Sequence, residues 1–101
     1  MEEIIMNLIM NSGDARSYAM EAIQAAKKDD FYKAEELMNE SKKQLDNAHN
    51  SQTKLIQSEI NGEKVEISLL LVHAQDHLMT SITLNTLAQE IIDLHKKVSD
   101  K

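Results

Sequence analysis

The chain has 101 residues, 42% of them hydrophobic and 28% charged, with a formal net charge of −6. That length suits one domain, 1–101, with a packed interior rather than a disordered chain. The negative balance disfavours nucleic acid and anionic membrane surfaces, both of which select cationic partners.

With no Pro and only Gly13 and Gly62 as glycines, the chain has few places to turn, so its elements are few and long. The opening Met1-Glu2-Glu3 has no basic residues of the kind that begin a signal peptide. A first helix is predicted over 2–28. Its stripe of Ile5, Leu8, Ser12, Ala15, Ala19, Ala22 and Ala26 is spaced three and four apart, and its small residues permit close helix approach. Lys27 and Lys28 suit the negative end of its dipole. Asp29-Asp30 then offers an N-cap carboxylate for a second helix over 30–60. That helix carries the stripe Ala34, Met38, Ser41, Leu45, Ala48, Gln52 and Leu55, and it ends at the stop signal Asn61-Gly62.

The third segment is ambiguous at its start. Val65-Glu66-Ile67-Ser68-Leu69 alternates like a strand, but apolar periodicity continues through Leu78, Ile82, Leu84, Leu87, Ile91, Leu94 and Val98 without a turn residue. One helix over 64–98 is the economical reading. Short connections make neighbours antiparallel, so the predicted fold is an all-α, up-down-up three-helix bundle. Residues 67–72 are apolar almost all round, which implies burial on several sides. Three helices alone cannot supply that, whereas a self-associated bundle can. The methionines other than Met1 are read as core filler. The chain has no cysteine, hence no disulfide, thiolate ligand or thiol nucleophile, which fits a cytoplasmic setting. No apolar run approaches the roughly 18 residues of a membrane span.

The informative segment is Val72-His73-Ala74-Gln75-Asp76-His77-Leu78-Met79-Thr80. Residues three and four apart share a helical face, so His73, Asp76, His77 and Thr80 cluster on the side that carries Leu69, Leu70, Leu84, Leu87 and Ile91. Two imidazoles and a carboxylate thus interrupt a face otherwise made for burial, where each costs several kcal/mol unless paired or hydrogen-bonded. The residues alone leave three readings open. The cluster is a hydrogen-bonded part of the core, or a set of metal ligands in a helical bundle, or it holds a nucleophilic histidine with an imidazole free near its ordinary pKa of about 6.5. The pattern is not the H-E-x-x-H zinc motif, since Ala74 stands second. A plain helical adaptor with no chemistry is a further alternative.

The run Leu71-Val72-His73-Ala74-Gln75-Asp76-His77-Leu78-Met79-Thr80 resembles the IIA component of the lactose/cellobiose (N,N'-diacetylchitobiose) family of the bacterial phosphoenolpyruvate-dependent sugar phosphotransferase system (PTS). So do Ile9-Met10-Asn11-Ser12-Gly13-Asp14-Ala15-Arg16-Ser17, and Ala48-His49 followed by Gln52-Thr53-Lys54-Leu55-Ile56, and the resemblance spans essentially the whole chain. The resemblance implies that His73 accepts a phosphoryl group from the histidine-containing phosphocarrier protein and passes it to a cysteine of the IIB component, driving import of a β-linked disaccharide. It implies a cytoplasmic homotrimer of three-helix subunits with sites at subunit boundaries. It also implies that Asp76 gathers near the threefold axis around a metal ion, typically Mg2+. Gln75 and His77 are then either supports that orient or hydrogen-bond the phosphate or structural residues. Gly13 relaxes packing near the site or serves close helix packing, while His49 and His95 are structural or surface residues. Leu78 and Met79, beside the site, are read as core.

Overall fold

In the computed structural model, which describes residues 2–100, helices span Glu2–Lys27 (α1), Phe31–Ile60 (α2) and Leu69–Ser99 (α3). Met1 and Lys101, the ends of the expected domain, lie outside the described residues. The three helices form an elongated up-down-up bundle of 57 × 21 × 16 Å. α1 packs on both other helices, and the α2–α3 contact is the thinnest.

Both turns have a defined chemistry. After α1, Asp30 N–H donates to Ala25 O and Asp29 N–H to Ala26 O, with Asp29 left-handed at φ 61°. After α2, Glu63 N–H donates to Ser58 O and Gly62 N–H to Glu59 O, with Gly62 at φ 87°. Each pattern satisfies carbonyls that a helix end leaves unpaired, and glycine takes the left-handed position at no steric cost. Asp30 caps α2 as expected, its Oδ1 accepting from Lys33 N–H at 3.2 Å.

The start of the third helix differs from the sequence expectation. Residues 63–68 are neither strand nor helix, and α3 begins five residues later than predicted. Ser68 sets the boundary. Its Oγ accepts from Leu71 N–H at 3.1 Å, an N-cap that satisfies one of the free donors of the first turn. Val65 and Ile67, β-branched and weak helix formers, stay outside, and Val65 packs against the core. Ser68→Ala is expected to cost about 1 kcal/mol and to lower the melting temperature by about 5 °C, measured by circular dichroism.

The interior consists of two apolar clusters. One holds Ala19, Ala22, Ile23, Ala26, Ala34, Met38, Ala88 and Ile92. The other holds Ile5, Leu8, Ala48, Leu55, Leu71, Ala74 and Leu78. Between them lie the buried Ser12, Ser41 and Ser81, one from each helix. Ser41 Oγ donates to Ala15 O at 2.6 Å and accepts from Asn85 Nδ2 at 2.8 Å. The first-helix stripe is buried as predicted. In the second, Leu45 and Gln52 are half-buried and the rest are buried.

On α3 the buried stripe is not the predicted one. Leu71, Ala74, Leu78, Ser81, Ala88 and Ile92 face the core. Leu87, Leu94 and Val98 are 54%, 62% and 63% exposed, and Ile91 is 39% exposed. Of residues 67–72 only Leu71 is buried, and Leu69 is 86% exposed. The reason is geometric: at about 100° per residue the two apolar stripes lie more than a third of a turn apart, and α1 and α2 cover only one of them. Met6, Met10, Met20 and Met79 are likewise exposed, so of the methionines read as core filler only Met38 is buried.

Candidate functional site

The predicted cluster lies on the first turns of α3, just past the Ser68 cap. His73 and Asp76 are exposed, and Gln75 and His77 are half-buried toward the neighbouring helices. The imidazoles of His73 and His77, one turn apart, lie nearly parallel at 9°, with centroids 5.9 Å apart. Burial holds His77 below the ordinary histidine pKa. Positive charge at His73 and Arg16 acts in the same direction, and the Asp76 carboxylate opposes them. A half-buried imidazole so placed is neutral near pH 7 and keeps one ring nitrogen as a donor and the other as an acceptor.

Gln75 is oriented from the second helix. Gln52 Nε2 donates to its Oε1 at 2.7 Å, which occupies the amide oxygen and leaves the amide N–H groups for another partner. Thr80 does not join the site through its hydroxyl, which donates to Asp76 O at 3.0 Å and His77 O at 3.2 Å on its own helix. Leu69 and Leu70 border His73 in a shallow apolar depression. Leu78 is fully buried beneath the site, whereas Met79, read as core, is exposed.

α1 closes one side. A Cβ placed on Gly13 would meet His77 Nε2 at 3.4 Å, so this glycine lies directly beside the second imidazole. Gln52 and Arg16 are site neighbours that sequence reasoning did not assign. Gln52 did carry a signal, being a polar residue on an otherwise apolar stripe. His49 is exposed on α2, one turn before Gln52 and beside Ile82 and Asn85 in a shallow depression, and His95 is half-buried near the end of α3. Among the described residues of one chain, no three His, Cys, Asp or Glu side chains come together as a metal site. No helix among them is long and apolar enough to cross a membrane.

The model of the family "PTS system, Lactose/Cellobiose specific IIA subunit" matches residues 3–96. The chain belongs to that family. It is 48% identical over 101 residues to the lichenan-specific phosphotransferase enzyme IIA component of Bacillus subtilis (strain 168), covering 100% of this chain and 92% of that protein. It is 49% identical over 98 residues to the N,N'-diacetylchitobiose-specific EIIA component of Escherichia coli (strain K12), covering 97% and 84%. The crystal structure of the PTS cellobiose-specific enzyme IIA from Bacillus anthracis superposes with a TM-score of 0.96 at 56% identity, covering 99% of this chain and 92% of that one. The IIA(Chitobiose) of Escherichia coli, solved in complex with HPr, superposes with a TM-score of 0.85 at 48% identity, covering 97% and 95%. The IIA components of this family are phosphotransfer proteins, and this chain is one of the chitobiose/cellobiose/lactose type.

Proposed function

We propose that this IIA component carries a phosphoryl group on His73, receiving it from HPr, the histidine-containing phosphocarrier protein, and delivering it to a cysteine of its IIB component. The observation that carries the reading is the exposed His73 ring stacked over the half-buried His77, with the amide of Gln75 held open by Gln52. A nitrogen lone pair of His73 attacks phosphorus as the donor's P–N bond breaks and its electron pair returns to the donor imidazole. In the second step a thiolate of IIB attacks the same phosphorus, and the bond to His73 breaks. The protein's part is positioning and charge stabilisation, with no covalent chemistry beyond the imidazole itself. His77 and Gln75 are placed to hydrogen-bond the phosphoryl oxygens. An exposed His73 suits a relay, since one nitrogen must meet donor and acceptor in turn through weak, short-lived contacts. The system it serves imports and phosphorylates a β-linked disaccharide, with this component acting on the cytoplasmic side. Incubation with the phosphocarrier system and phosphoenolpyruvate, followed by mapping of acid-labile phosphate, tests the reading. A wild-type chain that acquired none would refute it.

The uncovered stripe of α3 is assigned to a homotrimer, in which each copy covers the apolar face that its own helices leave bare. Asp76 stands on that stripe as a hard oxygen ligand. One carboxylate per chain does not make a metal site, whereas three copies brought to an axis would suit Mg2+ or a similar divalent cation. When bound, the ion supplies charge neutralisation for carboxylates that otherwise repel one another or take up protons. Asp76→Leu removes those charges in favour of apolar contact, a change that is neutral or stabilising for many buried charges. Sedimentation of this variant should show a trimer at least as stable as wild type without added metal. A monomer would contradict this account.

A further inference from the structure

Glycine weakens a helix interior because it has the most backbone freedom to lose. Gly13 occupies the middle of α1, and nothing in its backbone requires glycine: it is helical, and the positive-φ glycine of the chain is Gly62. Space does not require glycine either. A Cβ added there meets a single atom of another element within 4 Å, His77 Nε2, at 3.4 Å, an ordinary van der Waals contact. Alanine would fit and strengthen the helix. Its methyl would, however, rest against the nitrogen of one particular side chain.

We propose that Gly13 is a positioning residue for phosphoryl transfer: its bare Cα keeps the Nε2 edge of His77 open, so that this nitrogen can hydrogen-bond the phosphoryl group carried on His73. The inference rests on the phosphocarrier reading of His73. The two rings lie nearly parallel with centroids 5.9 Å apart, so a group bonded to one projects its oxygens beside the other. A hydrogen bond places the oxygen about 2.7–3.2 Å from the nitrogen. A methyl carbon 3.4 Å from the same nitrogen takes the room such an oxygen needs. The chain thus keeps a helix-weakening residue where a stronger one fits, the trade expected where stability yields to function.

The test is a double-mutant cycle in the full chain with wild type, Gly13→Ala, His77→Ala and the double variant. Gly13→Ala should melt about 5 °C above wild type. It should also accept phosphate from the phosphocarrier about tenfold more slowly, and its phosphohistidine should hydrolyse sooner. In the His77→Ala background the same substitution should change neither rate further. A Gly13→Ala protein with wild-type transfer rates, beside a wild type that is phosphorylated normally, would overturn this inference alone. Equal slowing in both backgrounds would overturn it too, since Gly13 would then act through helix packing and not through His77. A variant melting below wild type would show that the space is absent and reject the proposal. A wild type that took up no phosphate would sink the carrier reading, and this inference with it.

Discussion

Replacing His73 with alanine is expected to abolish phosphoryl uptake while leaving the bundle folded. The two halves of that expectation have separate causes. His73 is exposed, and alanine is a stronger helix former, so the change removes little packing and should leave the melting temperature within a few degrees of wild type. In the proposed relay the chemistry has no second route, because the nitrogen that would bond phosphorus is gone and His77, half-buried against Gly13, is poorly placed to meet a partner protein's phosphohistidine. His49→Ala and His95→Ala should be phosphorylated at the wild-type rate, since neither joins the stacked pair. His77→Ala should still be phosphorylated, but more slowly. Acid-labile phosphate measured on each variant decides the matter. Normal uptake by the His73→Ala protein would remove the central assignment.

Replacing Leu87 with aspartate is expected to convert the proposed trimer into a folded monomer. Leu87 is 54% exposed in the single chain, so its own bundle depends little on it. In the proposed assembly it lies on the face shared with Ile91, Leu94 and Val98, where full burial of a leucine contributes about 1.5–3 kcal/mol. Threefold symmetry repeats the substitution three times, and each copy adds an unpaired carboxylate to an apolar contact, at a cost of several kcal/mol before any relaxation. Circular dichroism should show unchanged helix content, and sedimentation at micromolar concentration should show one subunit's mass. A trimer as stable as wild type would mean that this face is not the interface.

How far these features could be read from sequence varies along the chain. The first two helices were legible because each has a single apolar stripe, and chemical punctuation closes it at Asp29-Asp30 and Asn61-Gly62. The start of α3 was not, because Val65 and Ile67 continue an apolar pattern into a segment that the Ser68 hydroxyl excludes from the helix. The core face of α3 was misjudged for a related reason. Two apolar stripes run side by side along it, and periodicity shows that a stripe exists without showing what covers it. The large residues drew the assignment to Leu84, Leu87 and Ile91, whereas Ala74, Ser81 and Ala88 are buried, their small side chains matching a close approach to α1. The residue types of the site were plain in the His73–His77 segment. The contributions of Gln52 and Arg16 were not, because they arrive from other helices.

The face that α1 turns inward sets which changes the chain can absorb. Ser12, Ala15, Ala19, Ala22 and Ala26 are each at most 1% exposed, so the distance between helix axes is fixed by side chains of one or two heavy atoms. A methyl or two added at any of them has no void to enter and must push a whole helix outward, at about 1–3 kcal/mol per site. The outer faces carry no such constraint. Mutational tolerance in this bundle therefore follows side-chain volume along one helix more closely than hydrophobicity, and drift that exchanges one apolar residue for a bulkier one is harmful there even though the pattern of polar and apolar positions is unchanged.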